Sequence, residues 1–272
     1  MTVGTAAPRA GGDGGLYPDL AGLGGFFTLL APPPPGTDAV PWAEVLAPDV
    51  LTARFVTVRQ ALAAGSGLPV DEVDPKVAVS ATQVGLASRL WSVALAATAL
   101  HRWVPDLSAS ALVASPVHRG DVPLGLTRPD QGYAVATTAD AVAVLTRTVV
   151  EDSLARLHEA CATIGRTPER VLVSNSSSAL VGAARVLARH RPDASTAAWQ
   201  LVRALVEVDA VAAGGAVVPK ADLHHCVGGA MEHRDEAFLR SGCCVFYRLP
   251  GHGLCPDCVL APSRPDEVTG DH

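Results

Sequence analysis

The clearest pattern in the chain is the stretch SATQVGLASRLWSVALAATALHRWVPD, residues 80–106. Val84, Ala87, Trp91 and Ala94 recur along one helical face, and Leu86, Leu90, Val93, Ala97 and Leu100 along another. Such a helix is apolar around most of its circumference, which predicts a buried position. Gly85, Ser88, Arg89 and Ser92 form its narrow polar stripe. Ser80 and Gln83 have the spacing of a capping box, and Pro105 marks the end. A second helix is predicted over residues 146–164, where Val150, Leu154, Leu157, Cys161 and Ile164 alternate at four and three, with Gly165 as its stop. Residues 171–192 read as an apolar run, a polar SNSSS turn capped by Asn175, Ser176 and Ser177, then a helix. Ser195 opens another helix, carrying Trp199, Val202, Leu205 and Val208. Trp91 and Trp199 are expected in the core.

Other segments break these periods. Residues 1–15 are rich in Gly and Ala and are expected to be disordered. APPPPG, residues 31–36, is a stiff non-helical spacer. Residues 41–64 read as a short and a longer helix, residues 110–137 as short strands and turns, and residues 221–240 as partly helical. The fold class is therefore mainly α with a small β part, α+β: a helical body followed by a short C-terminal cysteine hairpin. The expected divisions are a flexible segment with its proline spacer at 1–40, the body on the substrate side at 41–235, the cysteine segment at 236–262 and a disordered tail at 263–272.

Composition narrows the functional classes. Of 272 residues, 49% are apolar and 18% charged, with a net charge of −6 and no basic stripe, which argues against a nucleic-acid partner. The densest apolar run, residues 90–100, is shorter than the roughly 18 residues of a membrane-spanning helix. No charged start followed by an apolar segment opens the chain, so a cytoplasmic, non-transmembrane protein is expected. Thiols stay reduced there, and clustered cysteines bind metal or do redox chemistry. No dinucleotide fingerprint, P-loop or nucleophile elbow is present.

Four of the six cysteines lie in RSGCCVFYRLPGHGLCPDCVL, residues 240–260. VFYRL is β-prone, and Pro250–Gly251 suits the centre of a type II turn, so the segment can run out, reverse and return. That brings Cys255 and Cys258 beside Cys243 and Cys244. A disulfide between the adjacent pair is disfavoured by their short Cα separation. Spacing alone leaves a structural zinc and an iron–sulfur cluster equally open.

The pattern Cys243-Cys244-x10-Cys255-x2-Cys258 resembles the C-terminal signature of the ferric-siderophore reductase (FhuF-like) family. GLASRLWSVALAA, VPDLSASAL and the Asn175/Ser177 pair resemble its body motifs, and the likeness spans about residues 40–262. One departure is Gly242, where a basic or hydroxyl residue is expected. The resemblance implies a [2Fe–2S] cluster held by Cys243, Cys244, Cys255 and Cys258. It also implies one-electron reduction of a ferric siderophore, of hydroxamate type, with an external donor such as a ferredoxin or flavodoxin. Arg89 and Arg248 are the candidate substrate contacts, and His252 shares the loop with Arg248. A zinc-stabilised assembly protein and an iron–sulfur sensor or electron-transfer module are the competing classes. Cys161 is expected as a core thiol. Cys226, beside His224 and His225 with His233 nearby, fits no standard zinc spacing.

Overall fold

The computed structural model describes residues 15–117, 122–128, 130–219, 231 and 235–260. It is 58% helical and 11% strand, an α+β fold. In chain order the elements are α1 (Leu16–Gly22), β1 (Leu29–Leu30), β2 (Val40–Pro41), α2 (Trp42–Val45), α3 (Pro48–Ser66), α4 (Pro75–His101), β3 (Trp103–Pro105), β4 (Leu112–Ala114), β5 (Leu124–Leu126) and β6 (Gly132–Ala134). Then come α5 (Thr138–Leu145), a π-helical stretch (Thr146–Leu154), α6 (Ala155–Gly165), α7 (Glu169–His190), α8 (Ser195–Leu205), α9 (Asp209–Ala212), β7 (Gly215–Pro219) and β8 (Glu236–Arg240).

The predicted buried helix is α4. It packs against α7 at the centre, with α3, α6 and α8 around the pair. Leu86, Leu90, Trp91, Val93 and Ala97 are all buried. Each fully buried side chain of this size contributes roughly 1.5–3 kcal/mol, which is why this helix organises the fold. It starts five residues before the expected Ser80. Asp74 caps it, accepting from the Lys76 N–H at 2.9 Å, and Pro75 sits at the first helical position. Ser80 and Gln83 are therefore interior and buried. The capping box in this region of sequence space belongs instead to Thr137 and Asp140, at the start of α5.

Short strands cover one side of the core. The four-stranded sheet has the order β1-β5-β4-β2, with β1–β5 parallel and the other pairs antiparallel. Leu29, Leu112, Leu124 and Leu126 point into the same core as α4. The antiparallel ribbons β3–β6 and β7–β8 complete the β part. The expected strands in 110–137 are thus present. Residues 15–40 are not the free segment expected: Leu20, Phe27 and Leu29 are buried in the core. The expected disorder of residues 1–15 falls, apart from Gly15, outside the described residues, as does that of the 263–272 tail.

Two helices differ from their sequence reading. The helix expected from residue 146 runs from Thr138 through the π stretch, burying Val150, Leu154, Leu157 and Cys161. Burial pushes the Cys161 thiol up to about 12, as suits a core residue. The expected SNSSS turn is interior to α7, and Ser174, Asn175, Ser176 and Ser177 are all buried. By length and composition α7 alone among the described helices could cross a membrane, but 61% of that window is buried inside the protein, as in a core helix. Trp91 and Trp199 are core residues as expected.

A polar chain bridges α4, α6 and α7. Gln83 Nε2 donates to Ser176 Oγ at 2.8 Å and to the Leu172 carbonyl at 3.1 Å. Ser176 Oγ lies 2.8 Å from His158 Nε2. Burial lowers the His158 pKa to about 4 from an ordinary 6.5. The unfolded chain then binds the extra proton between these values, so stability rises with pH from about 4 to 6.5 and is level above. The slope is at most about 1.4 kcal/mol per pH unit. Thermal midpoints between pH 7 and pH 5 should fall in the wild type, and His158→Gln should flatten that fall.

Candidate functional site

The cysteine segment leaves β8 and is held against α7 by buried polar contacts. Arg240, the last residue of β8, is 5% exposed. Its Nη2 donates to Asn175 Oδ1 and its Nε to Ser174 Oγ at 3.4 Å. Gly242 N–H donates to Ser174 Oγ at 3.1 Å, and that hydroxyl donates to the Gly242 carbonyl at 3.2 Å. On the returning limb, Ser178 Oγ donates to Asp257 Oδ2 at 2.5 Å. Arg240 N–H donates to the Asp257 carbonyl at 3.0 Å, which ties the two limbs together. Ser174, Asn175 and Ser178 are spaced i, i+1 and i+4, so one face of α7 presents them all.

Gly242 has a steric reason. A Cβ there would sit 3.0 Å from the Arg170 carbonyl oxygen, 3.2 Å from Val171 Cα and 3.3 Å from Ser174 Cβ. These are helix atoms that cannot swing aside, so the basic or hydroxyl side chain expected at this position has no room. The hydrogen bonding such a residue would offer comes from Ser174 instead. Gly242 follows a strand, since residues 236–240, expected within a partly helical stretch, form β8.

The loop reverses as expected, by other means than strands. Val245 takes the left-handed conformation with φ 60°, a strained choice for a β-branched residue. Its N–H then lies 3.4 Å from Cys243 Sγ. Phe246–Arg248 forms a 3₁₀ turn. Leu249 is buried with Ala63, Val73 and Val77 in a second apolar cluster, which fastens the loop to α3 and α4. Pro250 and Gly251 occupy the centre of the turn closed by His252 N–H to the Leu249 carbonyl at 3.2 Å, with Gly251 at φ +78°. That is the type II geometry expected. Cys258 N–H donates to the Cys255 carbonyl at 3.1 Å, closing the turn between the second pair of thiols.

The fold gathers the four cysteines. Cys244 Sγ and Cys255 Sγ are 3.2 Å apart. The hydrogen bond from Cys255, ahead of the opposing effect of burial, holds the Cys244 thiol at about 6. The same bond drives the Cys255 thiol well above its usual range. Burial raises Cys258, and the charges of Cys243 and Cys244 add to that rise, so it lies near both. Four thiols form a soft, electron-rich donor set, one that suits iron in a cluster and also zinc. Backbone N–H groups of Val245 and Leu260 approach Cys243 and Cys258 at 3.4 and 3.5 Å, the kind of contact that stabilises charge on cluster-bound sulfur. The residues present fit a [2Fe–2S] cluster.

The two arginines fare differently. Arg89 is 1% exposed, and all three of its nitrogens are committed to carbonyls: Nε to Val122 at 2.7 Å, Nη2 to Thr28 at 2.6 Å, and Nη1 to Gly25. It fastens the segment between α1 and β1 to the body and does not reach the cysteine loop. Arg248 is in the loop and exposed, with Nη1 2.6 Å from Asp74 Oδ2, so it clips the loop to the N-terminus of α4. The His252 ring packs at a tilt on Phe246, centroids 6.0 Å apart. His224, His225, Cys226 and His233 lie outside the described residues.

Sequence reasoning missed the docking set of Arg240, Asp257, Ser174 and Ser178. Its signal was a polar run inside an apolar segment, which a helical projection would have placed on one face.

No curated protein matches the chain. Residues 240–260 match the family model described as the FhuF 2Fe-2S C-terminal domain. The matched domain points to a [2Fe–2S] cluster as the cofactor, against the zinc alternative.

Gly242→Val should lower the thermal midpoint, with a cost of about 1–3 kcal/mol from overpacking against α7. Iron content per chain should fall with it, because the clash lies next to Cys243. Both follow from melting curves and metal analysis of the purified variant. The segment from Arg240 to Leu260 is therefore similar to the FhuF 2Fe-2S C-terminal domain, and the likeness is recorded over those residues.

Proposed function

We propose that the protein is a ferric-siderophore reductase acting in the cytoplasm. The matched domain marks an iron–sulfur, siderophore-related protein with a redox role. The observation that carries the finer reading is a compact thiol site in which Cys243 and Cys255 are partly exposed. A thiolate-held [2Fe–2S] cluster supplies one-electron transfer. One electron suffices for the substrate: hard oxygen donors, such as hydroxamates, hold iron(III) far more tightly than iron(II). The overall change is iron(III)–siderophore plus one electron giving iron(II) and the intact chelator. The electron comes from an external donor such as a ferredoxin or flavodoxin.

The chain's own residues support such an exchange. Cys243 and Cys255 are partly exposed, while Cys244 and Cys258 are buried. Tyr247, Leu254 and Leu260 are exposed large apolar side chains, three of seven among the described residues, and all flank the thiols. An apolar rim around a charged centre suits a transient protein contact. The Asp257–Ser178 and Arg240–Asn175 contacts hold the thiols in place, so little rearrangement is needed on electron exchange.

The test is release of iron(II) to a ferrous trap from a ferric tris-hydroxamate, with protein made anaerobically and a reduced ferredoxin as donor. Wild-type protein should release iron in repeated turnovers. Cys255→Ser should lose the visible spectrum and reduce release to background. A Cys255→Ser variant that kept both would refute the ligand assignment, and a wild type that took up electrons yet released no iron would make it a sensor or electron carrier.

A further inference from the structure

A cavity of about 310 Å³ lies between the cysteine loop and the body, and Cys243 lines it. Three features of its wall point to one kind of ligand. The first is charge: Lys76 and Arg170 both line it, both are exposed, and neither has an ion-pair partner among the described residues. The second is backbone: Thr167, Pro168, Arg170 and Val171 line the cavity at the start of α7, whose N-terminus has no side-chain cap, whereas that of α4 is already capped by Asp74. The third is independent of both. Ser80 lines the cavity and is fully buried, and its hydroxyl has no hydrogen-bond partner among the described residues. A buried hydroxyl left in that condition costs free energy unless something arriving from the cavity satisfies it.

Two cations, an uncapped helix N-terminus and an idle donor together describe a site for an oxyanion. Its size fixes which kind. At about 310 Å³ the space is at the low end for ligand pockets, too small for a whole iron chelate and too concave for a flat protein face. A side arm fits. We propose that this cavity binds a pendant carboxylate of the ferric chelate and so seats the iron core against the loop beside Cys243. This rests on the reductase reading and narrows it, because chelates carrying a free carboxylate become the favoured substrates. Lys76 and Arg170 attract the arm, and Ser80 donates to it at the cavity floor.

The probes are two gallium(III) complexes, redox-inert stand-ins for the ferric ones. Both are linear tris-hydroxamates, one with its terminal amine succinylated, which leaves a carboxylate, the other acetylated. Calorimetric titration of the cluster-loaded protein at low salt should show the succinyl complex binding about tenfold tighter, as two charge-assisted contacts imply. The preference should shrink with added salt and vanish in Lys76→Ala/Arg170→Ala. Ser80→Ala should weaken succinyl binding severalfold without lowering the thermal midpoint, whereas a hydroxyl that served the fold would lower it. Equal binding of the two complexes, binding of neither, or a preference that survives the double variant would overturn the proposal. The ferric forms separate this from the reductase reading. Iron released equally from both, with no binding preference, leaves the reductase and removes the carboxylate site. A binding preference with no iron released does the reverse.

Discussion

The buried guanidinium of Arg240, gripped by Asn175 and Ser174 in the middle of α7, is the contact on which the site depends. A charged group with 5% exposure is tolerated only when its donors are met. Taking one acceptor from such a contact costs roughly 1–3 kcal/mol or more, because the charged donor stays buried and unmet. The same stretch of α7 also holds Gly242 through Ser174 and Asp257 through Ser178. Both limbs of the cysteine loop are thus fixed to one rigid helix, and the helix is fixed in turn by its packing on α4.

This arrangement explains why a core helix carries five consecutive polar residues. Each faces a specific need: Ser174 and Asn175 toward the loop, Ser176 toward Gln83 and His158, Ser177 toward the Val211 carbonyl at 2.8 Å, and Ser178 toward Asp257. In sequence the same residues look like a turn, because Ser and Asn favour caps and turns when no tertiary partner is known. The apolar periodicity of α4 was legible, since burial follows from spacing alone. Its start was not, because Asp74–Pro75 and Ser80/Gln83 are both plausible openings and packing chose the former. Residues 236–240 were read toward helix. Their pairing with β7 is a contact between strands separated by sixteen residues, to which a local pattern is blind.

The four thiols were legible, and so was the turn at Pro250–Gly251, because those depend on neighbours in sequence. The substrate side was not. Arg89 stood out as a lone cation on a buried helix, but its carbonyl partners come from residues far along the chain. Gly242 looked like a departure from the family pattern until α7 was seen to press against it. The thiol loop lies beside a cavity lined by Lys76, Ser80, Arg170 and Cys243, and Tyr247, Leu254 and Leu260 are exposed along the same segment.

The most direct test of the account is the metal in the protein itself. Material isolated without oxygen should carry two irons and two acid-labile sulfides per chain, absorb in the visible, and on reduction bleach and show the electron paramagnetic resonance of a one-electron-reduced pair. Protein that binds zinc in their place, or that stays colourless and silent after anaerobic reconstitution with iron and sulfide, would contradict it.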